Sequence, residues 1–146
     1  MNPLSLIFLT FLLASCANKS KNSPVISNAE VEIRQVMSLQ QEAWNEGNID
    51  AFMEGYWNSD SMQFVGKIIR QGWQATLDRY KESYPDRQAM GTLQFDIWQI
   101  VRLADDAYLL TGKYTLLRTS DQPSGPFTLI FKLKDGKWVI VYDHTG

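Results

Sequence analysis

The sequence is poor in the two side chains that most often hold zinc. It contains one cysteine and one histidine among 146 residues. A single thiol excludes an intramolecular disulfide and a cysteine-based metal cluster. With only one imidazole available, a metal site would depend mainly on carboxylates. We therefore expect neither a metal site nor a cofactor in this chain.

A bias toward charge of one sign is also missing. The chain has 14 Lys and Arg against 16 Asp and Glu, a formal net charge of -2, and the two signs are interspersed. No stretch resembles the basic stripe of a nucleic-acid-binding protein, so nucleic acid is not an expected partner. Aromatic residues, by contrast, make up 12% of the chain and include five Trp. In a domain of this size they can fill a core, line a pocket or form a partner surface.

One apolar run stands near the N-terminus. Residues 4–13 are almost uninterruptedly apolar, which is too short for a permanent membrane span and typical of a signal-peptide core. The next residues, Leu13-Ala14-Ser15-Cys16, resemble the bacterial lipobox, in which cleavage precedes the cysteine and the thiol receives diacylglycerol. We therefore expect a lipoprotein signal peptide over residues 1–15 and lipidation at Cys16. An uncleaved anchor with an incidental cysteine is the alternative.

Residues 16–26 form the expected link between lipid and domain. The segment after Cys16 is polar and has no apolar period, which is typical of a flexible tether. Several acyl chains together anchor a protein stably, so the membrane is the expected partner and the bacterial cell envelope the expected location. Ala17 stands where an Asp would signal inner-membrane retention in some bacteria, and this favours the outer membrane.

Residues 27–146 have the pattern of one α+β domain. Ser27 and Glu30 form a capping box before a helical apolar pattern, and two further helical segments follow. From Leu93 onward apolar residues alternate with polar ones, which predicts strands. The Asp135-Gly136 pair is typical of a hairpin turn. Helices followed by an antiparallel meander predict the α+β class.

Several motifs resemble one family. Residues 44–53, W-N-E-G-N-I-D-A-F-M, resemble the W-N-x-G-D-x-x-A-F-M opening of a SnoaL-like family of unknown function in the nuclear transport factor 2-like superfamily. Asn48 replaces the usual Asp and keeps a capping side chain. Residues 72–80, 107–112, 135–140 and the ending D-H-T also match, so the resemblance covers nearly all of residues 27–146. The association domain of calcium/calmodulin-dependent kinase II is a more distant likeness.

The resemblance implies a cone: a curved antiparallel sheet wrapped around three N-terminal helices, with a pocket at the open end. It implies no particular reaction, because the superfamily includes ketosteroid isomerases, polyketide cyclases, epoxide hydrolases, transport adaptors and oligomerisation domains. The function must therefore be argued from the residues of the site.

Strand alternation predicts which side chains enter that pocket. Adjacent strand residues point to opposite faces, so Asp143 and His144 cannot both enter without a bulge. Simple parity places His144 with Trp138 and Ile140. In the resembling fold Tyr56 and His144 lie toward the open end, and Tyr80 and Tyr114 can supply further phenols. Our candidate ligand-binding residues are therefore Tyr56, Tyr80, Tyr114 and His144.

Three functions are compatible with these residues. The favoured one is a cell-envelope lipoprotein that binds a small apolar molecule in an aromatic-lined pocket. The second is an isomerase- or cyclase-type enzyme with a pocket acid or base, although no carboxylate pair stands out. The third is a homodimerisation module that uses the open sheet face, with Trp98 as the expected contact.

Overall fold

The computed structural model describes residues 27–146, and the predicted signal peptide, Cys16 and the tether lie outside the described residues. This part of the chain contains four helices and one six-stranded sheet. In chain order the elements are α1 (Asn28–Asn45), α2 (Ile49–Met53), β1 (Gln63–Val65), β2 (Ile69–Gln71), α3 (Trp73–Ser83), α4 (Arg87–Met90), β3 (Thr92–Ala104), β4 (Ala107–Leu117), β5 (Ser124–Lys134) and β6 (Lys137–Thr145).

Local capping chemistry fixes the helix boundaries. The Ser27 Oγ accepts a hydrogen bond from the Glu30 backbone N–H at 3.2 Å, which confirms the predicted start of α1. Gly47 ends that helix region at φ +84°, a left-handed conformation that glycine adopts without steric cost. The Asn48 side chain then accepts from the Ala51 N–H at 3.0 Å and starts α2. These boundaries are therefore readable from the sequence.

The sheet is mixed, because one parallel pairing adds to the predicted antiparallel strands. Its strand order is β2-β1-β6-β5-β4-β3. Strands β3 to β6 form the expected antiparallel meander, but β1 pairs in parallel with β6. A three-residue strand carries no pattern that reveals its partner, so this pairing is set by packing of the whole chain.

Irregularities in the strands bend the sheet and change the direction of its side chains. The register between β3 and β4 shifts between Ile97 and Gln99, so Trp98 is an extra, unpaired residue. The register between β5 and β6 shifts between Ile130 and Phe131, whose partners are Tyr142 and Ile140. An extra residue makes a strand bend and twist more strongly, which accounts for the cone-like curvature.

The helices pack on the concave face of this sheet. Leu110, Phe131 and Ile140 point inward from three neighbouring strands and have 0% exposure. They join a single core cluster with side chains of α1 and α2, including Met37 and Phe52. Within residues 27–146, no helix has both the length and the apolar character needed to cross a membrane. The α+β cone predicted from the sequence is confirmed.

Candidate functional site

The cone contains a cavity of about 510 Å³ whose walls are largely aromatic. Its lining residues come from the helices, from the β1–β2 hairpin and from the inner face of the meander. The aromatic members are Trp44, Phe52, Tyr56, Phe64, Tyr80, Tyr84, Phe95, Tyr114 and Phe127. A concave apolar site of this size, with few polar groups, is the usual form of a small-molecule pocket.

Edge-to-face ring contacts hold the helical wall in place. The Trp44 ring lies 5.2 Å from Phe52 and 4.7 Å from Tyr84, measured between centroids. The Tyr80 ring is 5.2 Å from Phe52 and 6.0 Å from Phe64. Such pairs stabilise by about 0.5–1.5 kcal/mol beyond the area they bury. The wall is therefore preformed by mutual packing of its rings.

A polar cluster lines part of this apolar cavity, and its carboxyl group and two phenols are buried. The Asp143 side chain is 2% exposed, and its Oδ2 accepts a hydrogen bond from the Tyr56 hydroxyl at 2.7 Å. The Thr145 hydroxyl donates to Oδ1 at 2.6 Å. The Tyr56 and Tyr80 hydroxyls are 3.4 Å apart. These four side chains, Tyr56, Tyr80, Asp143 and Thr145, are called the floor cluster below.

Burial dominates the electrostatics of the floor cluster. It raises the pKa of Asp143 above the ordinary value, against the opposing effect of the hydrogen bonds from Thr145 and Tyr56. Burial also raises the pKa of Tyr56, and the nearby Asp143 charge raises it further. The pKa of Tyr80 is raised for the same two reasons. Both phenols consequently stay protonated at neutral pH and act as hydrogen-bond donors.

The bulge in β6 decides which residue of the final strand enters the cavity. Because Val141 is the extra residue, Ile140 and Asp143 both point inward, while Tyr142 faces outward opposite Ile130. His144 pairs with Thr128 and is exposed. The prediction that His144 lines the pocket is therefore wrong, because simple parity ignored the bulge.

The structure brings the three predicted tyrosines together around the cavity. Tyr56 and Tyr80 are buried in the floor cluster, and Tyr114 is half-buried on β4. Tyr56 is held at the edge of β6 by a bridge to Ile140, and the Trp57 N–H donates to the Ile140 carbonyl at 2.9 Å. The segment after α2 thus positions the Tyr56 hydroxyl within hydrogen-bond distance of the Asp143 carboxylate.

Sequence reasoning missed the main polar residue of the site. Simple alternation places Asp143 on the face opposite Trp138 and Ile140, whereas in the structure it shares their side of the strand. The signal that could have identified it is the ending D-H-T, in which a carboxylate and a hydroxyl stand two residues apart. Their side chains meet directly, as the 2.6 Å hydrogen bond from Thr145 shows.

The mouth of the cavity carries basic side chains that the sequence analysis also missed. Lys67 and Arg70 come from the β1–β2 hairpin and Arg79 from α3. The Arg79 Cζ lies 4.3 Å from the centroid of the Phe64 ring and 5.1 Å from that of Tyr80. Its guanidinium therefore rests on aromatic faces, in cation–π geometry.

The outer face of the sheet shows the consequence of the β3 bulge. Trp98 is 56% exposed, and its indole N–H donates to the Asp96 carboxylate at 3.1 Å. Beyond the bulge, Ile100 packs against the core, whereas Val101 and Leu103 are exposed. Beyond the bulge, Val101 and Leu103 therefore no longer lie on the face of Leu93.

The described residues contain no cluster of three or more His, Cys, Asp or Glu side chains that could hold a metal ion. Asp143 is surrounded by phenols, a hydroxyl and aromatic rings, so the floor cluster offers one carboxylate only. The chemistry available in the cavity is hydrogen bonding, proton transfer through one carboxyl group, and contact with apolar surface.

Neither the protein-family models nor the curated proteins include a match to this chain. Among solved structures, a cystatin-like domain of unknown function from Nostoc punctiforme PCC 73102 is 14% identical, with a TM-score of 0.69 over 82% of this chain and 78% of that chain. A Xanthomonas campestris protein named for the calcium/calmodulin-dependent protein kinase II association domain is 16% identical, with a TM-score of 0.64, over 84% of this chain and 89% of that one. These two similarities concern the fold alone.

A third solved structure is much more similar. The NTF-2 like protein of unknown function from Shewanella oneidensis MR-1 is 39% identical, with a TM-score of 0.78, and the match covers 80% of this chain and 98% of that chain. Identity at this level extends over almost the whole of that protein. Together with the cone, its mixed sheet and its internal cavity, this similarity shows that the chain belongs to the NTF2-like family.

Proposed function

We propose that this protein is a lipid-anchored component of the bacterial cell envelope whose domain binds a small, mainly apolar molecule in the cone. The observation that carries this proposal is the floor cluster inside the aromatic cavity. A polar group without a partner is costly in an apolar interior. A carboxyl group and two phenols in the lining of an apolar cavity can form hydrogen bonds to the polar end of a bound molecule and so orient it.

The hydrogen-bonding capacity of the floor cluster supports a ligand with one polar function. An ionised carboxylate has about four acceptor positions, and Asp143 uses two of them with Tyr56 and Thr145. Asp143 lines the cavity, so its remaining capacity is available to a ligand hydroxyl or amide. The aromatic wall suits the rest of a flat or aliphatic skeleton.

A titration with 2-naphthamide tests this function. The full-length protein is reconstituted in phosphatidylcholine nanodiscs, and calorimetric titrations are corrected with protein-free nanodiscs. We expect saturable binding, and in Leu129→Trp, which fills the cavity, a loss of affinity of about tenfold or more, or about 1.4 kcal/mol.

Ile130→Trp is the matched control, because Ile130 is the next residue and points to the outer face. We expect it to bind like the wild type. Circular dichroism establishes that both variants are folded. Equal affinity of the two variants would place the binding outside the cone and contradict the proposal.

The membrane anchor is tested separately, because it depends on Cys16. Cys16→Ser should leave an unprocessed precursor that lacks the mass of added acyl chains, as measured by intact-protein mass spectrometry. Normal cleavage together with lipid mass in that variant would contradict lipidation at this residue. The SnoaL-like assignment within the family rests on the sequence motifs and is part of the same proposal.

A second candidate function is proton transfer of the isomerase or cyclase type. The observation that favours it is one buried carboxyl with a raised pKa beside two protonated phenols. A carboxyl of this kind can accept a proton next to a ketone carbonyl while a phenol stabilises the oxyanion. Deuterium exchange at the α-carbon of a bound ketone, followed by NMR, should then be lost in Asp143→Asn. Exchange that persists in this variant would exclude the catalytic role.

Assembly is supported by the outer sheet face. Trp98 is 56% exposed and Leu103 is 55% exposed on this face, so a second copy of the chain could cover them. Trp98→Arg should convert a dimer into a monomer in sedimentation velocity. Ile69→Arg, at an exposed apolar residue of β2, serves as the control. A wild type that stays monomeric at high concentration would contradict this proposal.

A further inference from the structure

The charged residues around the cavity are unevenly distributed. Over the whole chain acidic residues slightly outnumber basic ones, 16 to 14. Among the side chains around the cavity the balance is reversed, with Lys67, Arg70 and Arg79 against one acidic side chain, that of Asp143. The carboxylate lies at the floor, whereas Lys67 is exposed and the two arginines are half-buried. The cavity therefore has an acidic floor and a basic mouth.

Arg79 is oriented by aromatic rings rather than by a carboxylate. Its Cζ sits 4.3 Å from the Phe64 centroid, and none of the four salt bridges among residues 27–146 involves Arg79. Stacking on a ring occupies the flat face of a guanidinium and leaves its N–H groups available at the edge. The Arg79 guanidinium is therefore held in place by the ring, and its N–H groups can donate hydrogen bonds to an acceptor on a ligand.

Arg70 is brought to the same place by strand pairing. In the β1–β2 hairpin Arg70 lies directly opposite Phe64, the residue on which Arg79 stacks. Phe64 is 2% exposed, so the ring on which Arg79 stacks is fixed, and the strand register places Arg70 beside it. Lys67 follows in the turn of the same hairpin and adds a third positive charge to the lining.

We infer that the molecule bound in the cone is an amphipathic organic carboxylate, with its apolar body among the aromatic rings and its anionic head at the mouth, on Arg79 and Arg70. This inference rests on the proposed binding function. Guanidinium groups bind carboxylates through two parallel hydrogen bonds, and charge-assisted hydrogen bonds are about twice as strong as neutral ones. The negative floor disfavours the opposite orientation of the ligand.

Two probes of the same shape separate charge from apolar contact. In the nanodisc titration, 2-naphthoate carries a carboxylate where 2-naphthamide carries a neutral amide. We expect the wild type to bind 2-naphthoate about tenfold more tightly, the value of one charge-assisted interaction. In Arg79→Gln this preference should shrink to less than about threefold.

Arg34→Gln is the matched control, because it removes the same charge from an exposed position on α1 that does not line the cavity. It should retain the full preference for 2-naphthoate. Arg70→Gln gives a second measurement at the mouth, where we expect a partial loss of the preference. It also keeps the proposal testable if Arg79→Gln lowers the thermal midpoint in circular dichroism.

The outcomes distinguish the two levels of the proposal. Binding of neither probe contradicts the binding function and, with it, this inference. Equal affinities for the two probes in the wild type overturn the carboxylate assignment but leave the binding function standing. A preference that survives in the Arg79→Gln, Arg70→Gln double variant overturns the assignment of the head group to the mouth.

Discussion

Adjacent leucines on β4 show how differently the two faces of one sheet are used. Leu110 points into the cone and has 0% exposure, whereas Leu109 points outward and is half-buried. The same contrast recurs on β5 between Leu129 and Ile130. The inner face is covered by helices and lines the cavity, while the outer face keeps apolar side chains that no described element covers.

The bulges, rather than the composition of the strands, determine which side chains lie on each face of the sheet. Without the extra residue in β6, Asp143 could not point inward together with Ile140 at its present position. Without Trp98 as an extra residue in β3, Ile100 would face outward. Two single-residue irregularities thus supply both the polar floor of the cavity and the exposed Trp98.

The largest effect is expected from truncating the two leucines of β4. Leu110→Ala leaves a cavity in a fully packed environment and should lower the free energy of unfolding by about 3 kcal/mol. Leu109→Ala removes the same atoms from the half-buried outer face and should cost about 1 kcal/mol. Urea unfolding of both variants measures the difference. Equal losses would mean that the outer face is as closely packed as the inner one.

Asp143 and His144 offer a second comparison across the faces. Asp143→Ala removes the acceptor of the Tyr56 hydroxyl and should cost about 1–3 kcal/mol, because a buried donor loses its partner. His144→Ala removes an exposed side chain and should change stability by less than about 0.5 kcal/mol. Thermal unfolding of the two variants checks this order. A larger loss in His144→Ala would contradict the placement of these residues by the β6 bulge.

A smaller effect concerns the pH dependence of stability. Because burial raises the pKa of Asp143 above its ordinary value of 3.8, the folded state binds this proton more tightly than the unfolded state. The contribution of Asp143 to the free energy of unfolding is therefore complete below pH 3.8, and it falls as the pH rises through the raised pKa of the folded state.

The Asp143→Asn variant has no ionisable group at this position, so its pH dependence is the reference against which the wild type is compared. The free energy of unfolding of the wild type minus that of the variant should decrease from below pH 3.8 toward neutrality. Urea unfolding at a series of pH values measures this difference. A difference that stays constant or increases with pH would show that hydrogen bonds to the carboxylate outweigh its burial.

Much of the fold is predictable because its determinants are local. Capping by Ser27 and Asn48 sets the starts of α1 and α2, and the Asp135-Gly136 pair closes the last hairpin with positive φ at both residues. One short element escaped prediction: α4 spans four residues, which is too few for a helical period to identify it.

The site was only partly predictable for a different reason. Aromatic residues with polar tips suit a pocket, and Tyr56, Tyr80 and Tyr114 all line the cavity. Asp143 was placed on the wrong side because a bulge has no sequence signature in a Val-Ile-Val-Tyr run. Arg79 was missed because its position depends on Phe64, a contact between α3 and β1 that only the folded chain creates.

The location of a bound probe shows directly whether the domain binds a small apolar molecule inside the cone. The measurement is a set of nuclear Overhauser effects between the ring protons of 2-naphthamide and assigned methyl groups of the protein. We expect contacts to Leu93, Leu116 and Leu129, which line the cavity, and none to Leu109 or Ile130 on the outer face. Contacts to Leu109 and Ile130, with none to the cavity leucines, would contradict binding inside the cone.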